Sequence, residues 1–234
     1  SVSVICSDKT GTLTHNKMTV QDIYIGGELL KEEDLKLTNQ LHRYLLLDAI
    51  LANDSTIANG VGIGDPTEYA LIEMFYHVKG ISINHGESIL TDHMLRDTLP
   101  RIQELSFDSD RKLMSTKHIV HGIPTIFTKG AIDVLLERCT KIRDNNGIRP
   151  ITEEDKKAIM KQNDAFSKNG LRVLAFAYKE SDEELTLEAE NNYIFIGLIS
   201  MIDPPRVESI QAVKDAKEAG IRTVMITGDH KVTA

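Results

Sequence analysis

The chain has no tryptophan and only six phenylalanines and six tyrosines, so its core must be built mostly from aliphatic side chains. Its two cysteines, Cys6 and Cys139, stand far apart with no CxxC pair. That spacing suggests neither a disulfide framework nor a cysteine zinc site. The eight histidines show no HExxH or other paired ligand spacing, which argues against a dedicated metal site built from them. No apolar run approaches the roughly 20 residues that a bilayer-spanning helix needs. Positive charge is in deficit, with a formal net charge of −8, which argues against a nucleic-acid surface or contact with an anionic membrane. A nucleotide site is still allowed, because it needs only a local cluster of cations. No signal-peptide pattern opens the chain, which begins inside what reads as a strand, the start expected of a piece of a longer protein.

What is present is an ordinary globular composition, 41% hydrophobic and 26% charged over 234 residues. Apolar spacing predicts helices over residues 32–51, 65–78, 132–139 and 152–169. Strands are expected at 17–25, 102–107, 112–120, 124–128, 171–178 and 193–202, with turns at Gly26-Gly27, His121-Gly122 and Asp144-Asn145-Asn146-Gly147. The acidic stretch 180–190 reads as a solvated loop. Strands joined by hairpins with helices between them indicate an antiparallel sheet with flanking helices, an α+β domain. The ends differ. A short apolar strand over 2–6 runs into Asp8, and a helix over 207–219 leads to a second short strand over 221–226 that ends in Thr227-Gly228-Asp229. The two strands are expected to be parallel neighbours with Asp8 and Thr227 side by side at their carboxyl ends, the usual ligand position of an open α/β sheet. The middle of the chain is then an insertion between the two ends.

The most informative stretch is Asp8-Lys9-Thr10-Gly11-Thr12-Leu13-Thr14. Gly11 lets the backbone turn back, Lys9 adds positive charge, and Asp8 can act as a nucleophile or hold a metal ion. Four other stretches carry possible chemistry. Asp203-Pro204-Pro205-Arg206 reads as a stiff joint with a cation able to support a phosphate or carboxylate, or as a proline-started helix capped by Asp203. Phe127-Thr128-Lys129-Gly130-Ala131 sets a lysine at a strand-to-helix junction, where Gly130 permits close backbone approach. Ser106-Phe107-Asp108-Ser109-Asp110-Arg111-Lys112 offers an aromatic face followed by cations. In Asp65-Pro66-Thr67-Glu68, every residue is explained structurally by a capping box.

The Asp8 heptapeptide matches the phosphorylation signature of the P-type ATPases without a mismatch, and the chain resembles the large cytosolic loop of a type II member along its whole length. In that resemblance Asp203-Pro204-Pro205-Arg206 lies at the return crossing between two domains, and Lys129-Gly130-Ala131 corresponds to a nucleotide-binding motif. The resemblance implies an α+β nucleotide-binding domain (18–202) inserted into a partial α/β, haloacid-dehalogenase-like phosphorylation domain (1–17 and 203–234). It implies ATP and Mg²⁺ as cofactors, with Phe107 and Glu68 at adenine and Lys112, Lys129, Gly130 and Arg172 toward the phosphates. Asp8 would take the γ-phosphoryl group beside Lys9, Mg²⁺ would bridge Asp8 and the Thr10 carbonyl, and Thr227, Gly228 and Asp229 would complete the phosphoryl site, with Asp203 and Arg206 beside it. Related calcium pumps often carry a basic residue two places after the aromatic, where Ser109 stands here.

The same resemblance places the chain on the cytosolic face of a membrane. Its partners would be ATP and the actuator, phosphorylation and transmembrane parts of one pump, with no nucleic acid and no direct membrane contact. A later Gly-Asp-Gly-x-Asn-Asp motif of the family does not occur in these residues, so the chain alone is expected to bind nucleotide without accumulating phosphoenzyme. Gly64-Asp65-Pro66-Thr67-Glu68 and the tail after Thr227 look most like bacterial calcium pumps, which makes Ca²⁺ the expected ion. Two alternatives stand beside this. One is a soluble phosphatase of the haloacid dehalogenase type, in which a second Asp usually occupies the position of Thr10. The other is a non-catalytic adenine-nucleotide-binding module.

Overall fold

A computed structural model describes residues 2–58, 61–78 and 90–228. The run Tyr193–Ile202 is apolar at nearly every position, as a strand buried on both faces must be, and it is the hub of a nine-stranded sheet. In chain order the strands are β1 (Val4–Asp8), β2 (Thr19–Ile25), β3 (Glu28–Leu30), β4 (Thr56–Ala58), β5 (Val61–Ile63), β6 (Gln103–Asp108) and β7 (Leu113–Val120). They continue as β8 (Ile123–Gly130), β9 (Cys139–Asp144), β10 (Gly147–Pro150), β11 (Arg172–Glu180), β12 (Tyr193–Ile202) and β13 (Arg222–Ile226). The helices are α1 (Gln40–Leu51), α2 (Pro66–His77), α3 (Asp92–Thr98), α4 (Ile132–Leu135), α5 (Glu153–Lys168) and α6 (Val207–Glu218).

The large sheet runs β10-β9-β12-β11-β8-β7-β6, with β2 and β3 joined to it through β12. All its pairings are antiparallel except β9 with β12. One edge of β12 is therefore shared, with Tyr193–Phe195 against β9 and Gly197–Ile202 against β2. Period-two alternation sorts β11 between the two faces. Phe176 and Tyr178 pack with α1 and α2, whereas Ala175 and Ala177 pack with α4 and α5. The expected α+β architecture, a mostly antiparallel sheet with flanking helices, is the one observed.

Several elements differ from the sequence reading. The helix expected over 32–51 starts only at Gln40, because Asn39 takes the N–H groups of Leu41 and His42 as an N-cap. The helix expected over 132–139 is one turn of α-helix and a 3₁₀ turn, after which Cys139 opens β9. The strands β3, β4, β5, β9 and β10 and the helix α3 were not expected, being too short for periodicity to register. The 180–190 stretch is not solvated throughout. Leu185, Ala189 and Glu190 are buried, and Lys117 and Lys179 tie its main-chain carbonyls to the sheet.

The chain ends form a separate two-stranded parallel sheet in which Val4 pairs with Arg222 and Asp8 with Ile226. This places the residue after Ile226 beside the end of the Asp8 strand, as the sequence suggested. No residue of α6 is buried, and Ile5, Met225 and Ile226 remain exposed. Parallel strands normally need cover on both faces. Amide hydrogen exchange is therefore expected to be faster at Val224–Ile226 than at Leu174–Phe176 in a dilute monomer. Equal protection at the two places would show that the small sheet opens only with the large one.

Candidate functional site

Glu68, Phe107, Lys112, Lys129, Gly130 and Arg172, separated by up to a hundred residues in sequence, line one cavity of about 480 Å³ together with Asp54, Asp65 and Thr67. Lys129 lies on β8 with its stem buried and its ammonium 2.7 Å from Glu68 Oε1. It also donates to the carbonyl of Ala52, which closes α1, so it sits at the negative end of that helix. The expectation of a lysine at a helix N-terminus is corrected on this point: α4 is a single turn with little dipole, and Lys129 serves the far end of α1.

Glu68 does not reach back to close a capping box. Asp65 alone caps α2, accepting the Thr67 N–H at 2.8 Å, with Pro66 in the first turn. The Glu68 carboxylate points across instead, taking the Asp54 N–H at 3.0 Å and the Ser55 hydroxyl at 3.3 Å on Oε2. Beneath this cluster lies Asp48, fully buried one turn before Ala52. Burial pushes its pKa well above the usual carboxylate range, against the opposing pull of Lys129 and of the Ala177 main chain. Sequence reasoning missed Asp48; the signal was an acid inside the apolar run Leu45-Leu46-Leu47-Asp48-Ala49-Ile50.

Gly130 is forced by its neighbours. A Cβ there would lie 2.1 Å from the carbonyl oxygen of Lys112, which also accepts the Ala131 N–H. The close approach anticipated from sequence is thus made by the chain's own backbone. Lys112, at φ 61°, pairs with Asp133 at 3.2 Å across an exposed surface. Such a pair holds the ammonium only weakly. Arg172 donates to Thr67 Oγ1 at 2.9 Å, and Phe107 presents its ring to solvent with 61% of its surface exposed.

At the end of β1, Thr10 (φ −75°, ψ 122°) and Gly11 (φ 78°, ψ −10°) form a type II turn, whose third position favours glycine. The Thr14 hydroxyl accepts the Gly11 N–H at 3.2 Å and donates to Asp203. Asp203 also takes the Lys17 N–H at 3.1 Å. It is not the cap of α6, a position held by Arg206, and it ties the two chain crossings together instead. Arg206 donates to the carbonyls of Thr14 at 3.0 Å and Gly11 at 3.3 Å. A second cleft, about 600 Å³, is lined by Lys9, Thr14, Asp203 and Arg172 among others. Arg172 is therefore common to both cavities. Among the described residues there is no cluster of three or more His, Cys, Asp or Glu able to hold a metal. Thr227 and Gly228 follow β13, and Asp229 lies outside the described residues.

The sequence model of the family described as P-type ATPase, cytoplasmic domain N, matches residues 42–208, most of the chain. The chain belongs to the P-type ATPases. It is 47% identical over 236 residues to calcium-transporting ATPase 1 of Bacillus cereus and 47% identical over 240 residues to calcium-transporting ATPase 1 of Lactococcus lactis. Both comparisons cover 100% of this chain and 26% of the relative. A cation-transporting ATPase of Synechocystis is 35% identical over 263 residues, again across the whole chain and 28% of the relative. This P-type ATPase chain thus spans about a quarter of the length of these curated relatives. None of its helices, among the described residues, is long and apolar enough to cross a membrane.

Proposed function

We propose that the chain is the ATP-binding cytosolic portion of a calcium-transporting pump, with ATP seated in the Phe107–Lys129 cavity and Asp8 as acceptor of its γ-phosphoryl group. The observation that carries this reading is the convergence of all six expected nucleotide residues on one cavity. Phe107 supplies the stacking face for adenine. Glu68 keeps one acceptor position on Oε1 after its three bonds, enough to receive the adenine amino group. Lys112 swings from its exposed pair to the phosphates, and Arg172, which lines both cavities, carries the phosphate chain toward Lys9 and the Asp8 strand end.

In this reading residues 18–202 form the nucleotide-binding body, and 1–17 with 203–234 form two parts of a haloacid-dehalogenase-like phosphorylation body. In the transfer step an Asp8 carboxylate oxygen attacks the γ-phosphorus. The bond from that phosphorus to the β–γ bridging oxygen breaks, and ADP leaves with the electron pair. Thr227 and Gly228 hold phosphoryl oxygens, while Asp203 and Arg206 brace the Asp8 loop. The Asp8 carboxylate and the Thr10 carbonyl are oxygen donors from one strand end, the ligand type Mg²⁺ takes alongside substrate phosphates. When bound, that ion neutralises charge on the transferred group.

ATP is expected to bind the isolated chain with a Kd of roughly 0.1–10 mM, followed by NMR titration. Phe107→Ala should weaken binding by about 1 kcal/mol or more. Titration curves identical for the variant and the parent would remove adenine from the Phe107 face.

A further inference from the structure

Phe107 stands where the ladder between β6 and β7 is broken. Leu105 pairs with Ser115 and Asp108 with Leu113, so two residues, Ser106 and Phe107, oppose the single Met114. A bulge of this kind turns a side chain out of the sheet, and it leaves main-chain carbonyls without strand partners. Arg111 takes them up. Its Nη2 donates to the carbonyls of Ser106 at 2.8 Å, Leu105 at 3.3 Å and Leu113 at 2.9 Å, spanning both sides of the bulge. Asp108 tightens the same turn by accepting the N–H groups of Asp110 and Arg111.

A guanidinium placed this way needs an anchor, because a lone buried cation is costly. The anchor is Glu190, 1% exposed, whose Oε2 lies 2.9 Å from Arg111 Nε in an ion pair without hydrogen-bond alignment. Glu190 Oε1 accepts the Ser115 hydroxyl at 2.6 Å, and Ser115 in turn is joined to Thr128, which is bonded to Tyr193. Arg138 adds a second cation, 3.5 Å from Oε2 and donating to the Glu190 carbonyl at 3.0 Å. Glu190 is thus held by Ser115 on β7 and by Arg138, and Arg111 hands that rigidity to the bulge.

We infer that Glu190 and Arg111 are positioning residues for the base-stacking face: they hold the bulge that presents Phe107, and they act on ATP affinity only through that ring. The inference rests on the reading of Phe107 as the adenine platform. The chain is titrated with ATP as four proteins: parent, Phe107→Ala, Glu190→Gln and the double variant, with thermal melts to verify folding. Glu190→Gln should weaken ATP about fivefold in the parent background and less than about twofold in the Phe107→Ala background. Its Phe107 ring resonances should lose their ATP-induced shift while the amides of α1 and β12 keep their positions.

Equal losses in both backgrounds, or no loss in the parent, would overturn the positioning role while leaving the platform intact. A Phe107→Ala variant that binds like the parent would overturn both. If Glu190→Gln does not fold, Arg111→Lys serves instead: it keeps the positive charge but, with one nitrogen in place of the planar guanidinium, it cannot hold the bulge carbonyls and face Glu190 at once, and the same non-additive loss is expected.

Discussion

Gly130→Ala is expected to cost about 3 kcal/mol or more of folding stability, and to remove ATP-induced NMR shifts at Phe107 and Lys112. The added methyl would meet the Lys112 carbonyl oxygen at 2.1 Å and the Leu113 Cα at 3.0 Å, which are main-chain atoms that a rotamer change cannot move. Relief requires losing the Ala131 N–H bond to that carbonyl and the pairing of Gly130 with Leu113. Gly122→Ala is the control: it shares a positive φ, 79°, but nothing lies within 4 Å of its Cβ position. It should cost only about 1 kcal/mol, the price of the backbone conformation. Urea midpoints at constant slope measure both. A loss for Gly130→Ala no larger than for Gly122→Ala would show that the β7–β8 end is pliable.

Lys129→Met should destabilise the chain by about 3–5 kcal/mol, because it strands the Glu68 carboxylate and the Ala52 carbonyl in a largely buried place. Adding Glu68→Gln should recover part of that loss, since no charge is then left without its partner. The double variant should still bind ATP worse than the parent, having lost both charges on the cavity floor. Unfolding free energies and ATP titrations of the three variants decide it. A double variant no more stable than Lys129→Met alone would mean that the cost lies in packing around the lysine stem.

The residues that gather at the cavity were picked out in the sequence through the family resemblance, Arg172 on that ground alone, and several of them also sit in short motifs whose backbone requirement is local. The lysine-glycine step, the proline after Asp65 and the aromatic before Asp108 are all of this kind. How they engage one another was not legible. That Glu68 would turn from its own helix N-terminus toward Lys129 depends on β8, 61 residues further along the chain, bringing that lysine to it. Glu190 was read as part of a solvated acidic loop because composition alone cannot tell a charge facing water from a buried one facing two arginines. Asp203 was read locally as a possible helix cap, yet its partner, Thr14, is 189 residues away. The long strands and α5 were legible from periodicity, as in Thr152, whose hydroxyl accepts the Asp155 N–H as that helix's cap. The short β9–β10 hairpin was visible only as its Asn-Asn-Gly turn.

The divided edge of β12 has a consequence for how the chain is made. Strand β2 is the first of the large sheet to leave the ribosome, but its long partner, Gly197–Ile202, belongs to the last. At about 5–20 residues per second, the interval between them is on the order of 10–35 s. Through that time the nascent β2 has only β3 as a strand neighbour, and the main-chain N–H and C=O groups of its other edge must wait for β12. Closing so long a loop adds entropy that local contacts do not offset until β12 arrives. Completion of this sheet is therefore a late, all-at-once event in synthesis, and a ribosome that stalls before Tyr193 would hold a chain with its central strand missing and its hydrophobic seam open to chaperones.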